Sequence, residues 1–182
     1  MLVLNRAVYL SLLLGMLPTT AWADFWADNC PLDRPKPMFS NGGFRLNKST
    51  GLATEIITLN KDVTLRLEQR TCEYLSRTYI FILKERQAET HVAGWQYKKS
   101  VELLSLLEKS SAAKLKFADE KLDFADEKKA LDNYVQQEPL PKEGVEIDIN
   151  DRPYDSYENI SVDSQIGKKD FRIVVKISSG PY

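Results

Sequence analysis

The stretch "VTLRLEQRT", residues 63–71, indicates the class of fold. Val63, Leu65 and Leu67 are apolar, and the residues between them are polar. This period of two predicts a β-strand with one buried face and one face toward solvent. The three residues before it, Asn60-Lys61-Asp62, suit a hairpin turn. The stretch therefore predicts one arm of an antiparallel sheet.

Other segments predict further strands of the same sheet. Residues 54–59 are rich in β-branched side chains, and "RTYIFIL", residues 77–83, contains a continuous apolar run. Such a run is typical of a strand that is buried on both faces. Residues 171–177, "FRIVVKI", alternate again near the end of the chain. We expect a mostly antiparallel sheet built from strands at about 44–83 and 170–178.

The middle of the chain has a different period. Val101, Leu104 and Leu107 follow a helical spacing, Gly94 precedes the segment, and proline returns only at Pro139. These features predict one long helix or a helical hairpin over about 95–136. The order of strands, helix and strand predicts the α+β class.

Residues 139–163 are charged and rich in turn formers, which predicts a long loop with at most a short strand at "VEIDI". Its "DIND", residues 148–151, is similar to a fragment of a calcium-binding loop. The EF-hand spacing fails, because Pro153 and Asn159 stand where that loop needs glycine and glutamate. We expect a solvated acidic loop, with a weak irregular calcium site as the alternative.

The N-terminus has the features of a secretory signal peptide. Arg6 precedes an apolar run over residues 7–17, and Ala21-Trp22-Ala23 forms an A-x-A cleavage site. The run is shorter than the roughly 20 apolar residues of a membrane helix. We expect cleavage after Ala23, a periplasmic or secreted protein without a membrane anchor, and a single domain over residues 24–182.

The two cysteines, Cys30 and Cys72, fit this compartment. A single pair of cysteines in an exported chain predicts one disulfide. The bond would pin the irregular, proline-rich segment 24–43 to a strand. A redox pair is the alternative, but redox cysteines usually stand as C-x-x-C.

The net charge of -1 provides no overall basic field for nucleic acid. Catalytic motifs are also missing from the sequence. The only histidine is His91, so any Ser-His-Asp or Cys-His arrangement would have to use it. We expect no catalytic residues, no cofactor and no metal, although a glycosidase-type carboxylate pair stays open, since nothing in the spacing selects one.

The pentapeptide FADEK occurs twice, at 117–121 and 124–128. Phe117, Phe124 and Leu131 form a weak second apolar stripe on the predicted helix. We interpret the repeat as a seven-residue duplication, which preserves the buried face of a helix. A self-association seam and a partner-binding helix are the alternatives, and they make Phe117 and Phe124 candidate contact residues.

The chain ends on "SSGPY", residues 178–182. Ser179, Gly180 and Tyr182 give it a resemblance to the Ser-Gly-x-Tyr loop that bacterial periplasmic lysozyme inhibitors insert into the cleft of their target. The likeness covers four residues. Those inhibitors are mainly β and carry the motif between strands, whereas here it follows the last predicted strand. The resemblance implies that these three residues are candidates for partner binding.

These observations favour an exported, non-enzymatic protein-binding module of the bacterial periplasm, of the inhibitor or immunity type. One alternative is an enzyme directed at the cell wall or a glycan, which uses an unidentified carboxylate pair. Another is a structural component of the envelope. An envelope protein is the expected partner.

Overall fold

The computed structural model describes residues 30, 32–84, 92–116, 122–149, 156–166 and 170–181. Seven antiparallel strands form one sheet in the order β1-β2-β3-β4-β7-β6-β5, and two α-helices accompany it. The strands are β1 (Arg45–Asn47), β2 (Leu52–Thr58), β3 (Val63–Thr71), β4 (Leu75–Leu83), β5 (Ile147–Asp148), β6 (Ser156–Ile166) and β7 (Phe171–Pro181), and the helices are α1 (Trp95–Lys109) and α2 (Ala125–Gln137). The predicted α+β class with a mostly antiparallel sheet is confirmed.

Strands β2, β3 and β4 form a meander. The predicted turn between β2 and β3 is present, since Asn60 Oδ1 accepts the backbone N–H groups of Asp62 and Val63, both at 2.9 Å. Strand β3 pairs with β4 along its whole length, from Val63 opposite Leu83. Alternate side chains of β3 are buried, as its period of two predicts.

The C-terminal strand lies in the interior of the sheet. Strand β7 pairs with β4 on one side and with β6 on the other. It extends to Pro181, three residues beyond the predicted end. The meander and the C-terminal part of the chain therefore join through the β4–β7 pair.

The prediction of a loop over residues 139–163 with a short strand at "VEIDI" was correct up to β5, which lies within that pentapeptide, but wrong from Ser156 onward. Residues from Ser156 onward form β6, which pairs with β7 over its full length. Only Ile160 and Val162 are buried among the described side chains of β6. Two buried residues are too few to show the alternation that predicts a strand. The polar composition of β6 suits its place near the edge of the sheet, where only the two-residue β5 pairs with it.

The helical segment is a hairpin rather than one continuous helix. Helix α1 ends at Lys109, and Ser110 accepts the Ala112 N–H group through its hydroxyl at 3.3 Å. Serine side chains compete with the helical backbone for hydrogen bonds in this way. Leu115 then forms a β-bridge with Phe39 before α2 begins. The two helices contact each other, with the rings of Tyr97 and Tyr134 5.1 Å apart.

The sheet has two unlike faces. The helix-side face carries Leu67, Tyr79, Phe81 and Val175, all buried. The outer face carries the residues between them, such as Ile80, and these are half-buried. The expectation that β4 is buried on both faces was therefore wrong, because the helices pack on one face only.

Residues 32–38, here called the strap, lie on the helix-side face beyond the helices. The carbonyl of Asp33 accepts the Thr71 hydroxyl at 2.6 Å, and Gln69 Nε2 donates to the Lys36 carbonyl at 3.2 Å.

The end of the strap is held by Glu55. This residue is buried, and its carboxylate accepts the N–H groups of Met38 and Phe39, at 2.8 and 2.9 Å, and a hydrogen bond from Gln69. The strap is thus held by hydrogen bonds from β2 and β3.

A disulfide closes the strap at its start. Cys30 is bonded to Cys72, which follows β3, with the two Cα atoms 4.5 Å apart. The predicted disulfide is present. It fixes the N-terminal segment to the end of a strand, as the sequence predicts.

Candidate functional site

The helices and the strap leave one part of the helix-side face open around Arg77. Two adjoining clefts, of about 360 and 290 Å³, meet there and share Met38 and Arg77. The larger one, the strap cleft, lies between the strap and strands β3 and β4. The smaller one, the helix cleft, lies between β4, β7 and residues 122–127 at the start of α2.

Arg77 occupies an inward position of β4, between Gln69 on β3 and Ile177 on β7. Its Nε is buried and has no hydrogen-bond acceptor within the described ranges. A buried unpaired donor costs roughly 1–3 kcal/mol, and native proteins usually satisfy such a group with protein, water or an ion. Arg77 therefore has binding capacity that the described residues do not use.

The helix cleft is acidic. Asp123 and Glu127 line it together with the ring of Tyr79. Burial raises the pKa of Glu127, and the negative charges of Glu158, Asp126 and Asp123 raise it further. A carboxyl group in this position holds its proton to a higher pH than usual, which is a property of general acids.

Burial also raises the pKa of Tyr79 to about 12, although the charge of Arg77 and a hydrogen bond with it act in the opposite direction. The phenol is therefore neutral at physiological pH. It lies close enough to both Arg77 and Glu127 for each charge to act on its pKa. Tyr79 thus connects the cationic and the acidic parts of the open region.

Helix α1 fixes the start of α2 and hence the helix cleft. One oxygen of Glu108 accepts the N–H group of Phe124 at 2.7 Å, and the other pairs with Lys128 at 2.6 Å. Both members of the Glu108–Lys128 pair are largely removed from solvent. This arrangement orients the first turn of α2, which carries Glu127.

Phe124 itself is a core residue. Its side chain is 4% exposed, and its ring meets the ring of Tyr79 edge-on with the centroids 5.4 Å apart. It is therefore not available on the surface as a contact residue in this structure. The other candidate of the repeat, Phe117, lies outside the described residues, as does His91.

The C-terminal motif lies within a paired strand. Ser179 stands opposite Leu75 on one side and Glu158 on the other, and Gly180 stands opposite Tyr157. A Cβ atom on Gly180 would lie 3.1 Å from the ring of Tyr157 and 3.1 Å from the Cβ of Tyr74. Packing of two tyrosines therefore accounts for the glycine. Tyr182 lies outside the described residues.

The outer face offers a second candidate surface. Its middle row runs across five strands and contains three apolar and two charged side chains, in the order Ile56, Arg66, Ile80, Val174 and Asp163. Ile56 is 58% exposed, and the other members of the row are half-buried. No helix of the described chain covers this row.

Some charges on the outer face are already neutralised by neighbours. Arg66 pairs with Glu68 at 2.6 Å, and Arg172 pairs with Asp170 at 3.0 Å. Arg70 and Lys176 form no ion pair with any residue that the structure describes. Lys176 lies in the neighbouring row with Glu68 and Thr78, and Arg70 lies one row farther along β3, opposite Ser76.

The sequence analysis missed Arg77, although a signal for it exists. Arg77 has the same parity along β4 as Tyr79, Phe81 and Leu83, so it is a charge at an inward position. Because residues 79–83 of β4 are all apolar, the sequence did not show which alternate positions of this strand face inward. Glu55 gives the same signal between Ala53 and Ile57 on β2.

Comparison of the chain with protein-family models, curated protein sequences and solved structures finds no match. Within the described ranges, no helix has the length and apolar character needed to cross a membrane. The same residues contain no group of three or more His, Cys, Asp or Glu side chains that could hold a metal ion. The functional candidates are therefore the Arg77 region and the outer face.

Proposed function

We propose that this protein is an exported, non-enzymatic protein-binding module of the periplasm, of the inhibitor or immunity type, and that it binds its partner through the outer face of the sheet. The apolar row of Ile56, Ile80 and Val174 carries the proposal. These side chains are half-buried or exposed although they lie in the middle of the sheet. Arg66 separates Ile56 from the adjacent pair of Ile80 and Val174, so the row is apolar surface interrupted and surrounded by polar groups. Such a mixture is typical of protein interaction sites.

The size of the outer face suits a stable interface. Five strands about 4.8 Å apart, with about 3.3 Å per residue over nine residues, span roughly 24 by 30 Å, or about 700 Å². A standard protein interface covers about 800 Å² on each partner. The face is therefore large enough to provide most of one.

The charges on this face indicate the chemistry of the partner. Arg70 and Lys176 form no ion pair among the described residues, whereas Arg66 pairs with Glu68. A partner that brings carboxylates to these two cations and apolar side chains to the row would be complementary. Complementary charges increase the association rate and exclude other partners.

The N-terminal segment and the disulfide support export. The apolar run, Ala21-Trp22-Ala23 and the bond between Cys30 and Cys72 are all typical of a protein that acts in an oxidising compartment. The partner is accordingly an envelope protein with a carboxylate-bearing surface.

The test is a crosslinked pull-down from the envelope fraction, analysed by mass spectrometry. The wild type is compared with Ile80→Glu, which places a charge in the apolar row, and with Leu140→Glu. Leu140 is 73% exposed on the loop after α2 and serves as the matched control. We expect one dominant protein to be captured by the wild type and by Leu140→Glu, and to be lost with Ile80→Glu.

Circular dichroism must show that Ile80→Glu is folded. Equal capture by all three chains would contradict binding through the outer face. Capture of a second copy of this chain alone would replace the proposed partner with self-association, which sedimentation of the purified protein detects independently.

One observation favours a second candidate function, an enzyme directed at the cell wall or a glycan. Glu127 has a raised pKa and shares the helix cleft with Asp123, so the cleft holds a candidate general acid beside a second carboxyl group. If so, Glu127→Gln and Asp123→Asn would each abolish release of soluble fragments from purified cell wall while the fold is retained. Wild-type protein without any such release would exclude this candidate.

A further inference from the structure

The strap cleft has the features of a small-molecule site, and it is independent of the outer face because it lies on the other side of the sheet. Its volume of about 360 Å³ falls within the range of known ligand pockets. Most of its wall is apolar and comes from Leu32, Pro35, Pro37, Met38 and Leu75. Six polar or charged residues also line it, and two of them, Gln69 and Thr71, already donate hydrogen bonds to the strap.

The two clefts differ in charge. The strap cleft is lined by Arg34, Lys36 and Arg77 and by one carboxylate, that of Asp33. Asp33 and Lys36 form only a long, exposed ion pair of 3.6 Å. The helix cleft shares Arg77 but carries two carboxylates, those of Asp123 and Glu127. An anion bound by Arg77 therefore has a more favourable electrostatic environment on the strap side than on the helix side.

Arg77 stands where the two clefts meet, with its Nε buried and without an acceptor in the described structure. A guanidinium group presents parallel donors that match the two oxygens of a carboxylate. A carboxylate in the strap cleft would meet the part of the Arg77 side chain that lines it, and an apolar group attached to the carboxylate would lie against the wall of the strap cleft.

The geometry points to a binding site for an amphipathic carboxylate, meaning an acyl chain that ends in one carboxylate. The carboxylate binds Arg77, and the chain runs along Pro35, Pro37 and Leu75. Both parts of the ligand are needed, since the cleft supplies one cluster of cations and a predominantly apolar wall.

The test uses three probes on the exported protein in its disulfide form. Decanoate has both the chain and the charge, decyl maltoside has the chain alone, and acetate has the charge alone. From Asp24 onward, Met38 is the only methionine, because the other two are Met1 and Met16. A ¹³C-labelled methionine methyl group therefore gives a single NMR signal at the junction of the two clefts.

We expect decanoate, below its micelle concentration, to shift the Met38 signal in a saturable manner and to give one-to-one binding in calorimetry. Arg77→Gln should weaken this binding about tenfold or more, as expected for the loss of a charged hydrogen bond. The matched control is Arg45→Gln, which removes the same charge from an exposed position on β1 and should leave the affinity unchanged.

Four outcomes would overturn the inference. Equal binding of decyl maltoside would show an apolar surface only, and equal binding of acetate would show a general anion site. Unchanged affinity in Arg77→Gln would remove the role of the guanidinium. If Arg77→Gln does not fold, the wild-type Met38 signal decides: no saturable shift with decanoate overturns the inference by itself.

Discussion

Strand β4 presents Tyr79 and Phe81 to one face of the sheet and Ile80 and Ile82 to the other. All four side chains are large and apolar, but the first two are buried and the other two keep part of their surface in solvent. The faces therefore differ in what covers them and not in their apolar character. The helix-side face should determine stability, and the outer face should determine recognition.

Polar groups follow the same division. The buried carboxylate of Glu55 on the helix-side face accepts three hydrogen bonds. On the outer face, Glu68 makes an ion pair with Arg66 that remains partly exposed. The same type of side chain is thus part of the core on one face and part of the surface on the other.

The largest expected effect breaks the attachment of the strap to the helix-side face. Replacing both cysteines with serine opens a loop of 42 residues in sequence and should lower the free energy of unfolding by about 4 kcal/mol. Chemical denaturation measures the change, and reductant should have no effect on the variant. Partner capture should persist, because the strap does not lie on the outer face; its loss would contradict the division between the faces.

Isoleucine occurs on both faces of the sheet, so its replacement by alanine measures how much burial on each face contributes to stability. Ile173→Ala removes a fully buried side chain from the helix-side face and should cost about 3 kcal/mol. Ile80→Ala, on the outer face, should cost about 1 kcal/mol or less, since part of that side chain is already in water. Urea titration measures both values, and similar losses would mean that the outer face is covered.

A matched pair of glutamates tests the polar groups. Glu55→Gln replaces an acceptor of three hydrogen bonds with an amide that places a donor against donors, and it should cost about 2 kcal/mol. Glu68→Gln weakens a partly exposed ion pair and should cost about 0.5 kcal/mol. Thermal unfolding compares the two variants. A larger loss of stability for Glu68→Gln than for Glu55→Gln would contradict the assignment of Glu55 to the core and Glu68 to the surface.

The smallest expected effect concerns pH. The raised pKa of Glu127 means that the folded state retains a proton that the unfolded state has already lost, in a window above the ordinary value of 4.5. Its contribution to stability therefore falls as pH rises through this window. Glu127→Gln should gain stability relative to the wild type between pH 4 and pH 7, on the order of a few tenths of a kcal/mol after solvent screening.

Urea titrations at these two pH values measure the difference. Glu146→Gln, at an exposed position on the loop before β5, is the control for the removal of a surface carboxylate. A gain for Glu127→Gln that is larger at pH 4 than at pH 7 would contradict the direction of the shift.

The strands with a long alternation were predictable from sequence, because their buried residues recur every second position. Strand β3 and the strand that begins at Phe171 both meet this condition. The disulfide was predictable because only two cysteines exist. Strand β6 was not, since only Ile160 and Val162 mark its buried face.

The candidate sites were harder to predict, for a physical reason. The apolar run of β4 is compatible with a strand that is buried on both faces and equally with a strand that is buried on one face. Which face the helices cover depends on packing between distant segments, such as Trp95 against Phe171, with ring centroids 5.2 Å apart. Arg77 becomes significant only once the covered face is known.

The most direct test of recognition by the outer face is site-specific photocrosslinking in the envelope. A benzophenone amino acid is placed at Ile82 on the outer face or at Asp132, an exposed position on α2. We predict one protein adduct that forms from position 82 and not from position 132. The same adduct from position 132, with none from position 82, would contradict it.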